Sequence, residues 1–285
     1  MTICTTQLIY FSPTRTMQRV LTGIAQGIDM SDVIHLDLTP PGVRDRTFEV
    51  GVETIALLGA PVYSGRLPAE AVTRLQQVHG NNAPAVIVVV YGNRAYEDAL
   101  RELCDLAVEA GFRPIAAAAF IGEHSYATAA QPIAVGRPDM ADLEKAVAFG
   151  QQVRANLGQL SSLPEIQVPG NMPYKERHPP PADPPAPITI TDLCTLCGDC
   201  ADVCPTAAIT VGDNVITDAQ SCITCCACTR ACPTGARVME DPRVRKTATW
   251  LYENHSERKE PEIFIAGVWF SSERYSTIKQ MYIKY

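Results

Sequence analysis

Cys194-Thr195-Leu196-Cys197-Gly198-Asp199-Cys200-Ala201-Asp202-Val203-Cys204-Pro205 is followed by Cys222-Ile223-Thr224-Cys225-Cys226-Ala227-Cys228-Thr229-Arg230-Ala231-Cys232-Pro233. Both segments read C-x2-C-x2-C-x3-C-P, and the second begins 28 residues after the first. Two cubane iron–sulfur clusters require this spacing. Three cysteines two residues apart curl around one cluster, and the fourth, followed by a proline that redirects the chain, reaches across to the other. The expected ligands of one [4Fe–4S] cluster are Cys194, Cys197, Cys200 and Cys232; those of the second are Cys222, Cys225, Cys228 and Cys204. A lone CxxC would suit zinc or a redox pair. Eight cysteines in two copies of one spacing, each closing on Cys-Pro, argue against both. A disulfide-rich module fits poorly as well, because the first residues are not a basic stretch followed by an apolar run and adjacent Cys225 and Cys226 make a poor disulfide framework.

Around this stretch lie 285 residues, enough for one full domain and a smaller one, with 46% hydrophobic residues to build a core. No apolar run approaches the roughly 18–20 residues that would span a bilayer. The expectation is a cytoplasmic chain in a reducing compartment. The net charge of −7 is unevenly placed, with seven acidic and two basic residues between Ile188 and Asp241 and eight basic against five acidic from Pro242 to Tyr285. An acidic cysteine-rich module argues against a nucleic-acid partner. It favours redox partner proteins with a basic docking surface, since complementary charge steers encounter.

Upstream, residues 1–158 alternate strands with helices. Gln7 to Phe11, Thr54 to Ala60, Ala85 to Tyr91 and Ile115 to Ile121 read as strands, and Val33 to Leu38 as a half-buried one, five in all. The fourth, with Val86, Ile87, Val88, Val89 and Val90 in succession, suits only a central, doubly covered strand. Met17, Val20, Leu21, Ile24 and Ile28 give one helix face, Tyr96 to Ala110 and Asp139 to Leu157 two more helices, and Pro68 a helix start. Strands alternating with helices predict an α/β fold with a five-stranded parallel sheet in the flavodoxin-like order 2-1-3-4-5. Nine of the 22 prolines fall between Pro164 and Pro187, so residues 159–187 read as an extended, semi-rigid linker, with an SH3-type ligand as the lesser alternative. A small α+β cluster-binding domain spans 188–241. A C-terminal helix and tail fill 242–285, with Asp241-Pro242 as the helix start and Val244, Thr247, Ala248, Leu251 and Tyr252 on one face. Residues 267–285 carry no pattern.

In an open parallel sheet ligands bind beyond the carboxyl ends of the strands. Three loops fall there: Phe11-Ser12-Pro13-Thr14-Arg15-Thr16-Met17, Ala60-Pro61-Val62-Tyr63-Ser64-Gly65-Arg66, and Tyr91-Gly92-Asn93-Arg94-Ala95-Tyr96. Hydroxyls and N–H groups at a helix start make a phosphate cradle, and Tyr63 and Tyr96 stand where they can flank a flat ring. Other polar candidates have local explanations. Cys4 and Cys104 read as structural thiols and Cys226 as a small residue packed behind a cluster. His124 reads as a locally bonded loop residue, and Glu97 and Asp98 as helix-opening carboxylates.

Taken together, these pieces resemble the flavodoxin–ferredoxin fusion proteins, from about residue 5 to 265. The similarity lies in Tyr10-Phe11-Ser12-Pro13-Thr14, Gly59-Ala60-Pro61-Val62-Tyr63, Tyr91-Gly92-Asn93-Arg94-Ala95-Tyr96-Glu97-Asp98, Phe120-Ile121-Gly122-Glu123-His124-Ser125-Tyr126 and the two cysteine motifs. The resemblance implies non-covalent FMN, with its phosphate on Ser12, Thr14 and Thr16. Its ring would lie between the second and third loops, at Pro61, Val62, Tyr63, Tyr91, Gly92, Asn93 and Tyr96. One departure stands out. Such phosphate loops read Ser-Pro-Thr-Gly-Thr-Thr, and this chain has Arg15 for the glycine and Met17 for the last threonine. If the loop needs a positive φ there, Arg15 costs about 1–2 kcal/mol; Arg15 either pairs with the phosphate or fills the site. The expected function is electron transfer between two [4Fe–4S] clusters and FMN. The alternatives are a flavin-dependent oxidoreductase acting on a small molecule such as a quinone, with the clusters as electron feed, and a cluster-only docking or sensing protein.

Overall fold

The computed structural model describes residues 3–162, 164–177, 179 and 181–266. Five parallel strands, β1 (Thr5–Tyr10), β2 (Asp32–Asp37), β3 (Thr54–Pro61), β4 (Pro84–Tyr91) and β5 (Arg113–Ile121), lie in the order 2-1-3-4-5. The register aligns Tyr10 with Asp37 and Gly59, and Pro61 with Val90, so the carboxyl ends of the strands share one edge. Every residue of β4 is buried, as the unbroken valine run requires of a strand covered on both faces. β2, at the outer edge, is more exposed than its apolar residues suggest, with Val33 and Ile34 facing solvent.

Helices α1 (Thr16–Ile28), α2 (Ala69–Leu75), α3 (Ala99–Glu109) and α4 (Met140–Asn156) cover the two faces. Met17, Val20, Leu21, Ile24 and Ile28 of α1 share one core with Phe149 and Val153 of α4, while Leu75 of α2 and Leu100 and Leu103 of α3 pack on the other face. α1 and α4 meet backbone to backbone. A Cβ on Gly27 would run into the Val147 carbonyl, and one on Gly150 into that of Ile24.

The proline-rich segment is laid against α3. Asp98, fully buried, accepts from the Asn171 N–H (2.7 Å) and the Lys175 N–H (2.6 Å), Tyr174 OH donates to Asp105 Oδ2 (2.6 Å), and Arg177 pairs with Glu102. Within it, residues 163, 178 and 180 lie outside the described residues, as do 267–285.

The cysteine-rich part is built from two similar halves. Its elements are β6 (Ile188–Thr189), α5 (Asp199–Asp202), β7 (Ile209–Val211), β8 (Val215–Thr217), α6 (Ala227–Ala231) and β9 (Arg237–Val238). β7 pairs with β8 and β6 with β9, both antiparallel. α7 (Pro242–His255) starts as expected, with Asp241 Oδ1 accepting the Arg243 N–H at 2.8 Å and proline in the first turn. The chain then returns to the large sheet. β10 (Glu262–Ile265) lies antiparallel on β5, pairing Glu262 with Ala119 and Ile265 with Ala116. The sixth strand lies in the part expected to be a tail; its four residues are too few to show a period.

Candidate functional site

At the carboxyl edge of the sheet is a cavity of about 260 Å³. The first loop enters it through Ser12, Pro13, Thr14, Thr16 and Met17, the second through Pro61, Val62, Tyr63 and Ser64, and the third through Tyr91, Gly92 and Arg94. Residues 122–126 complete this side. The two glycines permit the close approach: a Cβ on Gly92 would meet the His124 ring, and one on Gly122 would meet Thr16 Cγ2.

The end of the cavity at the first loop suits an anion. Arg15 N–H donates to Ser12 O and Gln18 N–H to Ser12 Oγ (3.2 Å), while Thr14 and Thr16 hydroxyls sit 3.1 Å apart. Among the described residues the N–H groups of Thr16 and Met17 take no partner, and the first turn of α1 carries no acidic residue. Free first-turn donors beside three hydroxyls form the donor set a phosphate takes. Arg15 adopts φ 59°, so the loop does require the left-handed conformation that glycine enters without strain. Its side chain is exposed and outside the cavity lining, so it does not fill the site. Met17 is turned inward onto Gly59.

Of the residues expected at the ring, Pro61, Val62, Tyr63, Tyr91 and Gly92 line the cavity; Asn93 and Tyr96 do not. Asn93 Nδ2 donates to the carbonyls of His255 (2.6 Å) and Glu257 (2.8 Å). Tyr96 is buried, stacks edge-on with Tyr91 at 5.5 Å and donates its OH to Glu262 Oε2 at 2.8 Å. Both hold the chain between α7 and β10 against the third loop. His124 Nδ1 accepts the Tyr126 N–H (3.0 Å), and burial, with Arg230 and Arg94 nearby, pushes its pKa down to about 4, so the imidazole is neutral. Glu123 pairs with Arg230 at 3.1 Å.

The far wall comes from the C-terminal third of the chain: Thr247, Trp250 and Leu251 of α7, and Thr224, which lies between Cys222 and Cys225. The cavity and the second cysteine motif are therefore neighbours. Tyr63 and Tyr126, both in the cavity lining, lie near that motif. Both phenols are pushed up, first by burial, and both feel the thiols of Cys222, Cys225 and Cys226. Arg74, 1% exposed, binds the two parts together. Its guanidinium donates to the Leu38 (2.6 Å), Thr39 (2.5 Å) and Pro40 (3.1 Å) carbonyls on one side and to Pro205 O (2.5 Å), next to Cys204, on the other.

The eight motif cysteines divide between two small voids. Cys194, Cys197, Cys200 and Cys232 line one, and Cys204, Cys222, Cys225 and Cys228 the other. Among the described residues no three Cys, His, Asp or Glu side chains are arranged for a single metal ion. A tetrahedral zinc with 2.3 Å bonds would hold its sulfurs only about 3.8 Å apart; thiols ringing a void suit the larger cubane. Leu196, Thr224 and Cys226 have positive φ, as does Gly198, giving the tight turns that wrap each void. Cys226 borders the second void, but its thiol donates to Thr224 O at 3.6 Å. The first quartet is the outer one, with Cys197 exposed and Cys194 and Cys232 half-exposed, whereas Cys204, Cys225 and Cys228 are buried.

The 4Fe-4S binding domain family matches residues 187–210, the stretch that carries Cys194, Cys197, Cys200 and Cys204, and the chain therefore has a site for at least one such cluster. No curated protein matches the sequence. Similar solved structures include a flavodoxin from the domain Archaea, at 12% identity over 54% of this chain and 99% of that one, TM-score 0.34. A Streptococcus pneumonia TIGR4 flavodoxin is similar at 14% identity over 54% and 99%, TM-score 0.36. A Fusobacterium nucleatum flavodoxin bound to flavin mononucleotide is similar at 14% identity over 52% and 98%, TM-score 0.33. The strand order 2-1-3-4-5 of this chain is itself the flavodoxin-like one.

Proposed function

We propose that the chain is an electron-transfer protein. In it a flavodoxin-like domain (1–158) that binds FMN is joined through the proline-rich segment (159–187) to a two-cluster ferredoxin-like domain (188–241), and the C-terminal segment from 242 fastens the two together. FMN carries one or two electrons and each cluster carries one. The observation that carries this reading is the shared wall: Thr224, inside the second cysteine motif, borders the cavity that would take the flavin.

Each group then has a task. Ser12, Thr14, Thr16 and the first turn of α1 receive the phosphate. Pro61, Val62, Tyr63, Tyr91 and Gly92 border the ring, and Asn93 and Tyr96 fix the third loop from behind. Arg15 faces the phosphate from solvent. Tyr63, Tyr126 and Thr224 stand between the cavity and the quartet of Cys204, Cys222, Cys225 and Cys228. Cys194, Cys197, Cys200 and Cys232 form the outer site, where Leu193 and Leu196 are exposed beside Asp192, Asp199 and Asp202. That surface suits a redox protein with a basic rim. Glu123 is paired and His124 neutral, so the pocket offers little for acid–base chemistry, and the carrier reading is favoured over a substrate-specific oxidoreductase.

The test is anaerobic purification with iron, sulfide and flavin quantified per chain. The expected result is about eight iron and one FMN. About four iron would remove the second cluster, and about eight iron without flavin would leave the cluster-only docking protein.

A further inference from the structure

The two cysteine halves are not equivalent. Cys204-Pro205-Thr206-Ala207-Ala208-Ile209 corresponds, 28 residues on, to Cys232-Pro233-Thr234-Gly235-Ala236-Arg237. Ile209 borders the void of the second quartet, and Arg237 stands at the matching place beside the void of the first. The fold accepts an isoleucine there, so the backbone does not demand the arginine.

Arg237 is 3% exposed. Among the described residues its hydrogen-bond partners are neutral: Nη1 donates to Thr189 Oγ1 (2.6 Å) and Nη2 to Thr217 Oγ1 (2.7 Å). Nη2 also lies 4.0 Å from Cys228 Sγ, a ligand of the second quartet, and Nε is buried without a hydrogen-bond partner. The backbone N–H of Arg237 serves Cys232, a ligand of the first. The guanidinium thus reaches both quartets. A buried charge is retained only where an opposite charge meets it, and four thiolates around a cubane supply one on each side.

Resting on the two-cluster reading above, we infer that Arg237 is the shared buried cation of the two cluster sites and holds the reduction potentials of both up. Reduction adds one electron, and so one negative charge, to a cluster. A fixed positive charge beside it favours the reduced state, and burial leaves that attraction weakly screened. The Thr189 and Thr217 hydroxyls are positioning groups, aiming the guanidinium between the quartets.

The test uses the full chain, purified anaerobically, with Arg237→Ile (the residue of the other half), Arg237→Gln and Arg237→Lys. Iron is counted first, and both midpoint potentials are then read by redox titration followed by electron paramagnetic resonance. With about eight iron retained, Arg237→Ile and Arg237→Gln should lower both midpoints. Each drop should reach at least the 59 mV that marks a tenfold change in the reduced-to-oxidised ratio of a one-electron couple, and Arg237→Lys should keep both within that limit. Unchanged midpoints, or a shift confined to one cluster, would overturn the inference while leaving the two-cluster reading intact. Loss of iron from both neutral variants but not from Arg237→Lys would make Arg237 a structural cross-link and also overturn it. Wild-type protein with about four iron would fail the two-cluster reading itself, and with it the shared cation.

Discussion

Replacing Arg15 with glycine separates two effects that the phosphate loop combines. Arg15 holds φ 59° and ψ 4° at the residue before α1. A side chain in the left-handed region costs about 1–2 kcal/mol, and a cation at a helix N-terminus opposes the dipole by a further ~0.3–1 kcal/mol. Glycine removes both terms but loses roughly 0.5–1 kcal/mol in chain entropy on folding. The net expectation for Arg15→Gly is a gain of about 0.3–2.5 kcal/mol in the stability of the α/β part. The effect on the proposed FMN is worked separately. An exposed guanidinium beside a solvent-facing phosphate contributes about 0–1 kcal/mol, so its removal should weaken FMN binding by no more than about fivefold.

Urea titration monitored by far-ultraviolet circular dichroism measures the first effect, comparing midpoints at unchanged slope because a chain with clusters is not two-state. Quenching of flavin fluorescence on titration of the flavin-stripped protein measures the second. A destabilised Arg15→Gly would refute the strain argument. A loss of FMN affinity beyond about tenfold, or about 1.4 kcal/mol, would place the guanidinium directly on the phosphate.

Two further perturbations follow from buried groups. His124 is held to about 4 in the fold, below its ordinary 6.5, so between those values the unfolded chain binds more protons and stability falls as the pH drops. From pH 7.5 to 5 the loss should be about 2 kcal/mol, read from urea midpoints, and His124→Gln should flatten that slope; equal slopes in the two proteins would show that the imidazole is solvated. Arg74→Met would leave the carbonyls of Leu38, Thr39, Pro40 and Pro205 without their shared donor. The expected cost is about 3–5 kcal/mol, with faster hydrogen exchange at the Ala208 N–H, which donates to Cys204 Sγ at 3.3 Å. A cost under about 1 kcal/mol with unchanged exchange would mean that Arg74 does not couple the two parts.

What the sequence made legible follows from which constraints are local. The grouping of the motif cysteines around two voids could be read because the two motifs repeat one spacing, and the central strand because five successive valines and isoleucines tolerate no exposed face. The first two loops could be placed because a parallel sheet puts every strand-to-helix loop on one edge. The same rule misled at Asn93 and Tyr96. Both belong to an edge loop, yet their side-chain donors are taken by His255, Glu257 and Glu262, more than a hundred residues away in the chain. No local pattern encodes that pairing.

The stripe on α7 shows the same limit. Its period gave a buried face, and Val244, Ala248 and Leu251 are buried, but Tyr252 is 38% exposed. Trp250, off that stripe and 46% exposed, borders the cavity instead. Periodicity says that a helix has a side to cover; it does not say what covers it. This matters because the C-terminal segment makes one site out of two modules. α7 supplies a wall of the cavity, Asn93 catches the chain where the helix ends, Arg137 donates to the Lys259 carbonyl at 2.6 Å, and β10 closes onto β5. The flavodoxin-like loops and the cysteine motifs each carry their own chemistry in sequence. Their adjacency is held by contacts such as Arg74 to Pro205 and Arg230 to Glu123, together with a segment whose own sequence signals only a helix and a tail. A pocket assembled from such distant pieces has its residue types written locally and its closure written only in the tertiary fold.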